Sequence, residues 1–500
     1  MSLSKRIARM GLAALLSAGI STSATAQELL TQPGTSPLVD LSLQFHTGAA
    51  HDPKGAYGSA ALVSSMLNEA STEAHSYDEI LGLFYPWAVE VGGAVDKEVV
   101  TFTATVHRDH LEKFTDLFVE MMTRPKFAQA DIERLRDQLE NYLTQDLRSN
   151  NDEELGKEAL YLEIYPGSHP YGHHNAGSLN ELAKLDESKL RKFYQQQFTG
   201  SNFTLGVAGG YPKGYPEKLR DRLVSELPKG EAERTAVAIT HPAKPDGRRL
   251  TIVEKDTRSV AMSMGFPIEV NRSHKDWTAL NLVRSFLGEH RSSNSYLYQR
   301  LREARGLNYG DYSYIEYFPN GMFLMQPEAY YPRTEQIFQI WIRPVQPETA
   351  VFTLRATLFE LEKLVEHGMT QEQFVATRNF LSKNAPLLVA SSARRLGYAM
   401  DSDFYKTGPY VEKLRKELDS LTLDQVNGVI RRHLQAKDME IVLVSKDAEK
   451  LKNDLRSGAP SPITYNSPKP EAITTEDKVI ANFPLNLAEV LVVPVDQMFR

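Results

Sequence analysis

Residues Asn281 to Phe318 read NLVRSFLGEHRSSNSYLYQRLREARGLNYGDYSYIEYF. Leu282, Val283, Phe286 and Leu287 recur at helical spacing, and a Ser/Asn-rich bend follows. Tyr296, Leu297, Leu301 and Ala304 then resume the three- and four-residue steps until Gly306 stops the helix. From Tyr309 to Tyr317, the aromatics Tyr312, Tyr314 and Tyr317 alternate with small or charged residues, as in a half-buried strand.

The run Arg302-Glu303-Ala304-Arg305-Gly306-Leu307-Asn308-Tyr309, at a helix-to-strand junction, resembles the second homologous domain of the insulinase/pitrilysin (processing-peptidase-like) zinc metallopeptidases. The resemblance extends, more weakly, over nearly the whole exported chain. It implies an α+β fold of two homologous domains, each a mostly antiparallel sheet with helices packed on one face.

The flanking sequence supports that division. Lys5, Arg6 and Arg9, an apolar run from Met10 to Ile20 and Ala24-Thr25-Ala26 before Gln27 read as a secretory signal peptide over 1–26. The expected location is the periplasm or outside the cell, with no membrane insertion. With no Cys, the chain has no disulfides, and any metal must rest on His, Asp and Glu. Losing Lys5, Arg6 and Arg9 takes the formal charge from −7 to −10, which argues against nucleic acid as a partner. Some 470 remaining residues exceed one core. Pro228, Gly230, Pro242, Pro245 and Gly247 mark a linker over 228–248 between a first domain (27–227) and a second (249–458). The two repeat one another: Leu190, Phe193, Tyr194 and Phe198 correspond to Val426, Val429, Ile430 and Leu434 at an offset of 236, which the strands Phe203 to Ala208 and Met439 to Val444 keep. The helix from Asp131 to Asn141 pairs likewise with that from Glu372 to Leu381.

The resemblance implies a His-x-x-Glu-His zinc helix in the first domain. The matching helix follows Gly58, and there the two His positions are Ala61 and Ser65 and the general-base position is Ser64. Neither a methyl group nor a neutral hydroxyl replaces an imidazole on zinc, and a serine of ordinary pKa does not deprotonate metal-bound water. The family's third ligand, a Glu some 75 residues on, points to Asp152-Glu153-Glu154 and Glu158, read here as a solvated helix start. Of the Arg and Tyr that hold the substrate carbonyl in the family, Arg343 falls near the first position and Ala350 stands at the second.

Candidate substrate-binding residues are therefore His290 and Arg291 in the bend, Tyr330, Tyr331 and Arg343. The pair His107 and His110 is read as a strand-to-helix cap, and His169, His173 and His174 as a structural turn resembling the family's HPYG loop. Ser64-Ser65 has no base placed by sequence, and no nucleotide-binding or hydrolase-elbow motif occurs.

Two functions remain open. One is a catalytically inactive homologue without cofactor that binds peptide or unfolded protein and pairs, as a hetero- or homodimer, with a second peptidase-family chain. The other is a working zinc metalloendopeptidase using displaced ligands such as His107, His110, His169 or Glu154. Finally, Asn486 to Pro494, beyond a Pro-rich spacer within 459–500, resembles a domain-opening strand. The first half shows no strand before Val39 to Phe45, so the tail is expected to pair there and clasp the two halves.

Overall fold

The computed structural model describes residues 28–229, 238–289, 292–319, 321 and 324–500. The proposed signal peptide lies outside the described residues, as do His290 and Arg291. Two sheets with helices make a mixed α+β fold. The first has the order β1-β5-β2-β4-β3, from β1 (Glu28–Pro33), β2 (Leu38–Phe45), β3 (Val91–Val95), β4 (Val100–His107) and β5 (Phe203–Gly209). The second has the order β11-β6-β10-β7-β9-β8. Its strands are β6 (Arg248–Glu254), β7 (Val260–Ile268), β8 (Asn308–Tyr314), β9 (Gln336–Val345), β10 (Met439–Ser445) and β11 (Leu487–Pro494).

The internal repeat keeps its offset to the residue. Helix Glu187–Gln197 leads into β5 as helix Leu423–His433 leads into β10, and each buries the same three positions, Leu190, Phe193 and Tyr194 or Val426, Val429 and Ile430. In the opening stretch, helix Trp277–Leu287 is buried along its length, and Tyr298–Glu303 forms a π-helical turn. The strand after it ends at Tyr314, before the expected Tyr317. Tyr317 instead turns toward the first half, where its hydroxyl donates to Glu158 at 2.9 Å.

Two strand expectations are corrected. The first half does open with a strand: β1 pairs parallel with β5, Leu29 against Leu205 and Thr31 against Val207. Its two leucines among mostly exposed polar residues hid it, because an edge strand needs no apolar run. The tail strand β11 pairs with β6, Val490 against Leu250 and Val493 against Val253, and so adds a sixth strand to the second sheet. The chain's last residues still reach the first half. Leu179 N–H donates to the Phe499 carbonyl at 2.9 Å, Arg148 donates to the Met498 carbonyl, and the buried Phe499 ring meets His174 edge-on at 5.3 Å.

Each half lays a helix on the other's sheet. Helix Asp152–Ile164 crosses the second sheet so closely that a Cβ on Gly156 would sit 3.0 Å from Ser263 Oγ. Helix Ser392–Phe404 crosses the first sheet, where a Cβ on Gly206 would lie 2.8 Å from Leu396. At both points a side chain would have to push its neighbours aside, so glycine lets the helices lie close. A buried ion pair, Asp96 with Arg333, joins the halves between them.

Candidate functional site

Helix Ser59–Asn68 starts at Gly58, whose φ of +99° suits glycine and which has no side chain to cap the first turn. Asp52 does so from a distance, accepting from Gly58 N–H and Ala60 N–H at 2.7 Å each. Fixed in this way, the helix presents Ala61, Ser64, Ser65 and Asn68, one face by helical spacing, to a cavity of about 290 Å³. The three motif positions therefore share one cavity wall, and none carries a ligand.

Opposite stand Tyr142, His174, Tyr317 and Tyr331. Tyr142 lies 77 positions beyond Ser65 and presents a phenol to the cavity. Burial first, then the Glu158 and Glu154 carboxylates, push its pKa far up and keep it protonated. Burial, with Lys97 and His173 nearby, brings His174 down to about 3. Its Nδ1 accepts from Ala176 N–H at 2.9 Å. Lys97 itself is brought down to about 7 by burial and Arg333, and its Nζ donates to the His173 carbonyl.

The acidic cluster is not solvated, contrary to the sequence reading. Glu153, Glu154 and Glu158 are buried under the second sheet. Glu153 pairs with Arg343, Glu154 with Lys157 at 2.6 Å, and Glu158 accepts from Tyr317 while lying 3.6 Å from His174. Arg343 and Tyr317 from the other half, with Lys157 and His174 from the same half, replace the water that the sequence suggested. Arg343 is thereby drawn to Glu153 and lines neither this cavity nor the cleft beside it.

That cleft, about 610 Å³, runs between β3 and β4 on one side and Tyr330, Tyr331, Arg394 and Tyr398 on the other. Successive residues of β3 serve different spaces, Gly92 and Ala94 the cleft and Gly93 and Val95 the cavity, as the two-residue period of a strand dictates. β3 ends the sheet order, so its outer edge has no strand partner among the described residues. Tyr330 adopts φ +79°, costly for a bulky residue; its N–H donates to Asp401 at 3.0 Å, and its ring rests on Gly397.

The histidine turn forms as expected. His173 stacks on Tyr57 at 3.9 Å, and His169 accepts from Tyr171 N–H through Nδ1 at 2.9 Å while Nε2 meets the Thr240 carbonyl at 2.9 Å. His107 caps Asp109, and His110 stacks on Trp87. The displaced-ligand candidates do not converge: among the described residues, the one group of three with ligating atoms close together is His274, Asp276 and His433, in the second half.

Family models match in tandem: insulinase (peptidase family M16) over residues 29–167 and the peptidase M16 inactive domain over 184–381. The chain belongs to the insulinase family. An uncharacterised zinc protease of Mycobacterium bovis is 25 % identical over 368 residues, 70 % of this chain and 78 % of that one. Another, of Bacillus subtilis, is 22 % identical over 416 residues, 81 % of this insulinase-family chain and 93 % of its own. Among solved structures, a peptidase M16 inactive domain from Pseudomonas fluorescens has a TM-score of 0.73 at 23 % identity, covering 84 % of this chain and 96 % of that one. A protease from Helicobacter pylori has a TM-score of 0.71 at 16 % identity, with coverage of 84 % and 97 %. At such identities the structural likeness establishes the two-sheet insulinase-family fold.

Tyr142, His174 and the Glu158–Tyr317 contact were not singled out for the site from sequence. His174 was read as part of the structural turn, and Tyr317 carried no signal, since packing across the halves brings it in.

Proposed function

We propose that this insulinase-family chain is a non-catalytic peptide-binding subunit, exported to the periplasm or beyond, that pairs with a second, zinc-bearing chain of its family. The observation that carries this reading is the motif face itself: Ala61, Ser64 and Ser65 line one cavity with a protonated Tyr142 opposite. That set supplies neither a zinc ligand sphere nor a base.

The outer edge of β3, without a strand partner among the described residues, supports the binding half of the reading. An extended segment of peptide or unfolded protein adds to β3 through backbone hydrogen bonds, sending alternate side chains into the cleft and the cavity. Tyr330 and Tyr331 supply aromatic contact area there. No helix among the described residues is long and apolar enough to cross a membrane.

Fluorescence anisotropy with an unstructured peptide rich in β-branched residues tests this. Binding is expected, with loss when alternate peptide nitrogens are methylated and weakening by Tyr331→Ala. Equal affinity for the methylated and unmethylated peptides would reject strand addition. Partnership is tested by mixing with a zinc-bearing chain of the family encoded in the same genome: a stable complex with chelator-sensitive cleavage is expected, and two separate species under sedimentation would reject it.

A further inference from the structure

Well away from both clefts, two imidazoles and a carboxylate meet where helix Trp277–Leu287 begins and helix Leu423–His433 ends. Asp276 is the residue before the first helix, His274 lies two positions earlier, and His433 closes the second. Their ligating atoms all lie within 4.8 Å of one another. His433 Nε2 is 2.8 Å from Asp276 Oδ2, and the His274 and His433 rings meet edge to face at 5.6 Å. The Asp276 and His433 side chains remain 12 % and 17 % exposed, so an ion in solution has access.

We propose that His274, Asp276 and His433 form a divalent transition-metal site of the zinc class, joining the start of one helix to the end of the other. Two imidazoles and one carboxylate are a donor set that zinc, cobalt and nickel accept, with solvent free to complete the sphere. Bonds of about 2.0 to 2.2 Å place neighbouring ligand atoms roughly 3.3 Å apart in a tetrahedron, a modest contraction from the present spread. The end of helix Leu423–His433 favours positive charge at this point, offsetting the start of helix Trp277–Leu287, which opposes it. Arg432 now supplies that charge, its Nη2 lying 3.0 Å from Asp276 Oδ2, but its side chain is 55 % exposed and free to swing outward. His274 Nδ1 now accepts from Asp276 N–H at 3.1 Å, so ligation through that nitrogen replaces this contact.

None of the three residues lines the cleft or the cavity. Zinc carried by the purified protein would therefore reside in the second half and say nothing about peptidase chemistry in the first.

Titration of metal-stripped full-length protein with cobalt(II) tests the site through the visible absorption of a tetrahedral complex. About one equivalent is expected to bind and to be displaced by zinc. His433→Gln and Asp276→Asn should each weaken binding by roughly tenfold or more, while Arg432→Ala tightens it. Absence of any cobalt spectrum with the wild-type chain would overturn the proposal without recourse to a variant, as would affinity unchanged in both His433→Gln and Asp276→Asn.

Discussion

The Arg333 guanidinium lies 3.4 Å from the centre of the Tyr317 ring and donates to both carboxylate oxygens of Asp96, at 2.9 and 3.0 Å from Nε. Asp96 comes from the first half, Arg333 and Tyr317 from the second, and all three are buried. With the two exchanged helices, this pair makes the halves one packed body, with the β3 cleft and the cavity beside the join.

Removing one partner strands the other. Asp96→Asn leaves a buried guanidinium without its counter-charge, and a loss of about 3 to 5 kcal/mol is expected. Calorimetry should show one transition for the wild type and a broadened or split one for the variant as the halves uncouple. An unchanged single transition would contradict the role assigned to the pair.

Acid should destabilise the protein through His174. Burial lowers its folded pKa from an unfolded 6.5 to about 3, so below 6.5 the unfolded chain takes up a proton that the folded chain refuses. Its contribution is complete above pH 6.5 and declines as pH falls toward 3, at about 1.4 kcal/mol per pH unit. His173 and His169, also lowered by burial, act in the same direction. Denaturant midpoints measured from pH 7 to pH 5 should fall for the wild type and fall less steeply for His174→Gln.

The tail makes two separable contributions. Deleting Met498 to Arg500 removes the buried Phe499 ring from the first half and should cost about 3 kcal/mol, leaving β11 in place. Hydrogen exchange should then quicken around Leu179 and His174. If exchange quickens only in β6 and β11, the clasp has been assigned to the wrong residues.

The duplication was legible in the sequence because β5 and β10, with the helices before them, bury corresponding side chains in the same period. The missing ligands were legible because chemistry is lost when Ala61, Ser64 and Ser65 replace imidazole and carboxylate. Helical and strand periods show which face is buried, but not what buries it. Glu153 and Glu158 therefore read as solvated although Arg343 and Tyr317 cover them from the other half. Likewise, Val490 to Val493 declared a strand while its choice of β6 over the first sheet depended on which edge the fold left open.

If the lost ligands alone silence the site, restoring them should bring metal back. Ala61→His, Ser64→Glu, Ser65→His and Tyr142→Glu together place two imidazoles and two carboxylates on the cavity walls. The folded quadruple variant should bind about one more equivalent of zinc than the wild type. No gain in a folded variant would mean that the buried shell around His174 and Glu158 no longer supports a metal.

The most direct test is an assay of the purified, zinc-supplemented single chain on quenched unstructured peptides, with and without chelator. No cleavage above background is expected under either condition, although the peptides bind. Chelator-sensitive cleavage by this chain, free of any co-purifying peptidase, would contradict the account.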